Sequence, residues 1–190
     1  MTLFKDKYRI ESIRLPGYDY SQPGAYFITI VTHNRQCLFG EIVNGEMTLN
    51  RFGGLVKNEW QKTGIIRPDI VIDAFVVMPN HIHGILIIND NDEFCNRRDT
   101  LQRVSTTETG TGTKTIEQFG KPTKNSIPTI VRLFKSTVTK QINQIRQTPG
   151  IPLWQCNYYE HIIRNDDELN KIREYIISNP LTWKTDNNYV

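Results

Sequence analysis

The chain has 190 residues, 38% of them hydrophobic and 23% charged, with a formal net charge of +3. That length suits one domain with room for an insertion, and the composition is globular rather than disordered or fibrous. Three widely spaced cysteines (Cys37, Cys95, Cys156) exclude a disulfide scaffold and a zinc finger, and no apolar run reaches the length of a membrane span or a signal-peptide core. The expected setting is the reducing cytoplasm, with no membrane partner.

Residues 1–23 form a polar N-terminal segment that ends in the turn-rich stretch Gly17-Tyr18-Asp19-Tyr20-Ser21-Gln22-Pro23. Ala25–Thr32 follows as a strand whose faces are both largely apolar, as expected of a strand with neighbours on each side. Leu38–Val43 and Glu46–Leu49 flank Asn44-Gly45, a strong signal for a type I′ hairpin. Asn50 is placed to cap a helix running to about Lys62, with Phe52, Leu55, Val56 and Trp60 along one side and Gly64 as its stop. Two strands come next, Ile70–Met78 and Ile82–Ile88, joined by a tight turn at Pro79-Asn80.

The second of these strands opens on His81-Ile82-His83. Side chains two apart on a strand point to the same face, so the two imidazoles stand side by side while Ile82, Gly84 and Leu86 take the opposite, apolar face. Two metal ligands on a rigid element have this geometry. A strand end facing solvent would accommodate the same pair, so the pair alone does not decide between these readings.

Residues 91–127 change character, being rich in Thr, Gly, Lys and Asn with almost no apolar periodicity, as in a flexible insertion. Thr109-Gly110-Thr111-Gly112-Thr113-Lys114 has neither the glycine spacing nor the preceding strand of a phosphate-binding loop. A helix over Pro128–Arg146 follows, its apolar stripe made by Ile130, Val131, Phe134, Val138, Ile142 and Ile145. Between Cys95 and Gln147 ten basic residues face three acidic ones, so the rest of the chain is net negative. An arm carrying Arg97, Arg98 and Arg103 and a helix carrying Arg132, Lys135 and Lys140 off its apolar stripe make a candidate footprint for a polyanion, DNA above all.

Tyr158–Ile163 reads as a further strand, and Asn165 caps a last helix with Asp166, Asp167 and Glu168 in its first turn and Pro180 beyond its end. Tyr175 lies at the edge of the Leu169/Ile172/Ile176 stripe, with Asn179 one turn later, so a hydroxyl and an amide both come within reach of the sheet. A tyrosine so placed serves as a border residue of the core or as a nucleophile toward a phosphodiester. At pH 7 only about one phenol in a thousand is ionised, so the second role needs help such as a divalent cation held by two imidazoles. The element order is strand, hairpin, helix, two strands, helix, strand, helix. It fits an α+β sandwich, a mainly antiparallel sheet covered by helices, and excludes a doubly wound parallel fold.

Met78-Pro79-Asn80-His81-Ile82-His83-Gly84 resembles the His-hydrophobic-His motif of single-tyrosine HUH transposases. The wider frame resembles the REP-associated tyrosine transposase branch. It comprises Gly17-Tyr18-Asp19-Tyr20 with Gly24-Ala25-Tyr26-Phe27-Ile28-Thr29, Trp154-Gln155 with Tyr158-Tyr159-Glu160-His161-Ile162-Ile163-Arg164-Asn165, and Tyr175-Ile176-Ile177-Ser178-Asn179-Pro180. The resemblance covers about residues 12–90 and 126–183 and implies a ferredoxin-like sheet of four or five strands with the histidines on a central strand. It also implies a metal-dependent nickase and strand transferase for single-stranded DNA bearing hairpins (REP-like palindromes), acting in the bacterial cytoplasm. Carried over by position, His81 and His83 are metal ligands for Mg²⁺ or Mn²⁺, Tyr175 is the nucleophile, and Asn179 is a third ligand or close helper, with Glu160 and His161 as rivals. Relatives of this kind act as monomers or as homodimers, and the sequence leaves that choice open.

Two features depart from the pattern. The insertion at 91–127 is longer than the motifs need, and the chain ends soon after Trp183, so recognition of a hairpin is expected from the single 1–190 domain itself. Two other readings stand beside the transposase. One is a non-catalytic single-strand or hairpin binder that stacks bases on aromatics such as Tyr18, Tyr20 or Tyr158. The other is a small metallohydrolase, for which the nearest acids downstream of the pair, Asp90, Asp92 and Glu93, lie beyond the far end of the strand.

Overall fold

The computed structural model describes residues 15, 17–90, 123 and 125–190, together with the backbone of two short paired strands, β1 (Leu3–Phe4) and β2 (Lys7–Tyr8). The expected basic arm, with Arg97, Arg98 and Arg103, lies outside the described residues, as do Asp92 and Glu93. Strand β3 is Gly24–Val31, and Gly40–Val43 (β4) pairs with Glu46–Leu49 (β5) in a hairpin. Asn44 and Gly45 both take positive φ, 52° and 81°, as a type I′ turn requires.

Helix α1 (Arg51–Ile66) starts at Asn50, whose side-chain oxygen accepts from the amides of Phe52 and Gly53. It runs one half-turn past Gly64, the expected stop, because Gly64 keeps to the helix beneath Ile70 and Ile72 and the chain turns only at Arg67. Strands β6 (Ile70–Val77) and β7 (His81–Ile88) follow, then α2 (Ile127–Arg146), β8 (Tyr159–Ile163) and α3 (Asp166–Ser178). The α2 N-terminus is capped by Ser126 and the α3 N-terminus by Asn165, which accepts from the Glu168 amide.

The main sheet has the order β6-β7-β3-β8 with every neighbouring pair antiparallel. Together with α1 and α2 this is the βαββαβ frame of a ferredoxin-like sandwich, and β7 is an inner strand. The two faces of β7 serve different purposes. Ile82, Leu86 and Ile88 point into the larger core with Trp60 of α1 and Ile130, Phe134, Val138 and Ile142 of α2. Ile85 and Ile87 point the other way, into a smaller core with Phe27, Ile163 and, from α3, Leu169, Ile172 and Ile176. Strand alternation puts His81 and His83 on this second face, under the helix that carries Tyr175.

Gly84 separates the histidines from the rest of β7 and lies directly against Trp60. A Cβ there would stand 2.6 Å from Trp60 Cζ2 and 2.9 Å from its Cε2, and the buried indole, packed edge-on against Phe134 at 5.1 Å, has no room to withdraw. Gly84→Ala is therefore expected to cost about 1–3 kcal/mol of stability through overpacking. The loss would appear as a fall in Tm of several degrees on thermal unfolding, whereas an unchanged Tm would mean that α1 adapts freely.

Candidate active site

His81 and His83 are 0% and 2% exposed, so the solvent-facing strand end that the sequence left open does not occur. Their Nε2 atoms approach to 2.9 Å. Each ring is held at its other nitrogen. His81 Nδ1 meets Asn80 Oδ1 at 2.8 Å, and His83 Nδ1 meets Thr29 Oγ1 at 2.8 Å across the β3–β7 pairing, in which Thr29 stands opposite His83. Aromatic rings wall the pair: Phe27 stacks on His83 at 5.4 Å and Trp183 lies 5.8 Å from His81. Burial lowers both imidazole pKa values, that of His81 to about 3, so both rings are neutral at neutral pH and free to act as ligands.

Tyr175 comes from α3, is 42% exposed, and presents its hydroxyl to the pair. Its Oη lies 3.2 Å from His83 Nε2 and donates to Asp186 Oδ2 at 3.2 Å. Burial and the Asp186 charge push the phenol up to about 12. Helix α3 is tied to the sheet by Arg173, two residues before Tyr175, whose Nε donates to Asp73 Oδ2 at 2.7 Å, within the register shift of β6 between Ile72 and Phe75.

Asp186 was not among the residues expected from sequence. After α3 the chain turns at 178–182 and passes through a short 3₁₀ turn, Trp183–Thr185, that returns Asp186 to the histidines. His81, His83 and Asp186 offer ligand atoms all within 4.8 Å of one another, with Asp186 Oδ2 3.9 Å from His83 Nε2. Burial disfavours the Asp186 charge, yet the neighbouring His83, the Asn179 amide (3.0 Å) and the Asn188 backbone N–H (2.6 Å) together hold its carboxyl well below the usual range. The only sequence signal for it was the Asp186-Asn187-Asn188 run, which forms an Asx turn through that last bond.

Asn179, the third ligand implied by the resemblance, is fully buried and keeps helical dihedrals (φ −56°, ψ −41°) despite preceding Pro180. Its Nδ2 is spent on Asp186, and its Oδ1 has no hydrogen-bond partner among the described residues. The donor set fits a divalent cation. The two Nε2 atoms lie close enough together to be ligands of one ion once neither carries a proton. A carboxylate and an orphaned amide oxygen add the oxygen ligands that Mg²⁺ and Mn²⁺ prefer.

The other expected site residues fall elsewhere. Arg132, Lys135 and Lys140 sit on α2, across the sheet from the histidines, and Lys135 Nζ donates to the carbonyls of Gln155, Cys156 and Asn157. His161 pairs with Glu168 at 2.6 Å on β8 and α3 rather than with the cluster, and Glu160 points to the opposite face. Of the aromatics named for stacking, Tyr20 is 4% exposed, and Tyr18 and Tyr158 pack against the larger core.

No family model matches the sequence. The chain is 41% identical over 180 residues to an uncharacterized protein of Haemophilus influenzae, spanning 94% of this chain and 92% of that one. Its fold matches the solved structure of a REP-associated tyrosine transposase bound to a REP hairpin, with a TM-score of 0.53 and 18% identity over 92% of this chain and 74% of that one. At that identity the likeness is one of fold. Among the described residues no helix is long and apolar enough to cross a membrane.

Proposed function

The chain belongs to one family with the Haemophilus influenzae protein and has the fold of a REP-associated tyrosine transposase. From that premise we propose that it is a metal-dependent endonuclease and strand transferase for single-stranded DNA, cutting beside hairpins through a covalent 5′-phosphotyrosine. The observation that carries the proposal is the position of Tyr175 Oη, 3.2 Å from both His83 Nε2 and Asp186 Oδ2, at the rim of a buried cluster of cation ligands.

In the proposed reaction Tyr175 Oη attacks the phosphorus of a phosphodiester. The P–O3′ bond breaks as the Oη–P bond forms, the 3′ oxygen leaves to become a hydroxyl, and the 5′ end stays on the tyrosine. With its pKa near 12, only about one phenol in 10⁵ is ionised at pH 7, so the proton must be taken up as the bond forms. The Asp186 carboxylate accepts the hydrogen bond from that hydroxyl and orients it, and the departing 3′ oxygen is the base that ends with the proton. A divalent cation held by His81, His83 and Asp186, with Asn179 Oδ1 in reserve, would polarise the phosphate oxygens. Attack by a 3′ hydroxyl on the phosphotyrosine reverses the chemistry and joins strands, with no nucleotide triphosphate consumed. Arg97, Arg98, Arg103, Arg132 and Lys140 are the proposed phosphate contacts, and the protein is placed in the cytoplasm on chromosomal DNA.

The test uses end-labelled single-stranded hairpins taken from the DNA flanking the gene, with Mg²⁺ or Mn²⁺ added. Chelation by EDTA is expected to abolish cutting while leaving hairpin binding in place. Cutting that survives EDTA would remove the cation from the mechanism, and tight binding with no cutting in either metal would favour the non-catalytic hairpin binder.

A further inference from the structure

We infer that Asn80 and Thr29 set the proton positions on the two imidazoles: Asn80 locks the His81 proton on Nδ1, while Thr29 lets His83 carry its proton on either ring nitrogen. The link to cation binding rests on the reading of the site proposed above; the proton assignment rests on hydrogen-bond chemistry alone.

Asn80 is fully buried, and its Nδ2 lies 3.1 Å from the Arg35 carbonyl and 2.8 Å from the Asn188 carbonyl. Two carbonyls can be satisfied only by an NH₂ group, so the orientation of the amide is fixed and its oxygen is what faces His81 Nδ1 at 2.8 Å. An amide oxygen carries no proton. His81 Nδ1 must therefore supply it, and His81 Nε2 is left as a lone pair. The same side chain holds the Asn188 carbonyl, and the Asn188 amide in turn holds Asp186, so Asn80 positions two members of the cluster at once.

The His81 lone pair then places the His83 proton. His81 Nε2, a lone pair, lies 2.9 Å from His83 Nε2, so that contact is a hydrogen bond only if His83 Nε2 donates. Tyr175 has one hydroxyl proton, and the ionised Asp186 carboxylate, which has none to give, takes it at 3.2 Å. The hydroxyl then has no second proton for His83 Nε2, also 3.2 Å away, and so does not compete with a proton on that nitrogen. His83 Nδ1 is then the acceptor, and Thr29 Oγ1 donates to it at 2.8 Å.

For His83 to offer Nε2 to a cation, the proton must leave Nε2 for solvent and one must be taken up at Nδ1, with no net change in protonation. A backbone carbonyl at Thr29's position would forbid the first tautomer and an amide N–H would forbid the second. A hydroxyl permits both, because it rotates from donor to acceptor. The two histidines thus differ: His81 is preset for a cation and His83 is switched toward one.

The experiment is a long-range ¹H–¹⁵N spectrum of the histidine rings in the full chain, recorded with EDTA and then with Zn²⁺ as a diamagnetic probe. The expected result with EDTA is Nδ1–H on His81 and Nε2–H on His83, with Zn²⁺ converting His83 to Nδ1–H and leaving His81 unchanged. Nε2–H on His81, or Nδ1–H on His83 before any metal is added, overturns the proton assignment even if metal binds. A correct EDTA spectrum that Zn²⁺ does not change instead contradicts the cation site and leaves the assignment standing. As a second arm, Thr29→Val, close in shape but unable to accept, is expected to weaken Zn²⁺ and Mn²⁺ binding about 10–100-fold, with Thr29→Ser restoring it. Wild-type metal affinity in Thr29→Val would make Thr29 a packing residue and refute its part in the switch.

Discussion

Tyr175→Phe is expected to abolish strand cleavage, by at least about 10³-fold, while hairpin affinity stays within about twofold of wild type. The substitution removes one oxygen and keeps the ring, which lies edge-on to Phe27 at 6.1 Å and to His83 at 5.2 Å, so the wall of the site survives. Asp186 keeps its bonds from Asn179 Nδ2 and the Asn188 amide, so the C-terminal segment stays docked. What disappears is the only atom of α3 that stands beside the cation ligands with a lone pair for phosphorus. Parallel gel-shift and denaturing-gel measurements separate the two effects, and a fall in affinity as large as the fall in cleavage would make Tyr175 a binding residue instead.

The second large effect is expected at Asp186. Asp186→Asn preserves size and removes the charge, and should weaken Mn²⁺ binding by at least about 100-fold, read by calorimetric titration. It should also lower the Tyr175 pKa, because the neighbouring negative charge is one of the causes that raise it after burial itself. An ultraviolet pH titration checks the sign, which must be downward. Asn179→Ala serves as the comparison. Its Nδ2 supports Asp186 and its Oδ1 has no partner, so the metal affinity should fall by less than in Asp186→Asn. The reverse order, with Asn179→Ala severe and Asp186→Asn mild, would return the third-ligand role to the residue implied by the family resemblance.

The contrast between these two residues shows what a sequence can disclose. Strand and helix positions were legible because their physics is local. Asn44-Gly45 can hardly be anything but a hairpin turn, Asn50 and Asn165 announce helix starts, and the alternation about His81 puts both histidines on one face of β7 and turns the other toward Trp60. Tyr175 was legible for the same reason, since helical spacing alone set it at the edge of the α3 stripe. Asp186 was not. It lies in a polar tail without periodicity, and it reaches the histidines only because a 3₁₀ turn packs Trp183 beside His81. The role of Asn80 was hidden in a different way. Pro79-Asn80 read as a turn, which it is, but the two carbonyls that orient its amide come from Arg35 and Asn188, far away in the chain. Lys135 illustrates the opposite case, a charge counted toward a DNA footprint whose donors go to three carbonyls of the chain that leads into β8.

In the proposed reaction a phosphodiester is transferred to Tyr175. That transfer is tested most directly by trapping the product of a single-stranded hairpin reaction with Mn²⁺, digesting with nuclease and trypsin, and sequencing the modified peptide by mass spectrometry. Cleavage after Arg173 and Lys184 releases the segment 174–184, in which Tyr175 is the only tyrosine. The expected product is a 5′-linked nucleotide on that residue. A nucleotide on another residue, or quantitative release of strands with free 5′-phosphate ends and no adduct, would contradict it.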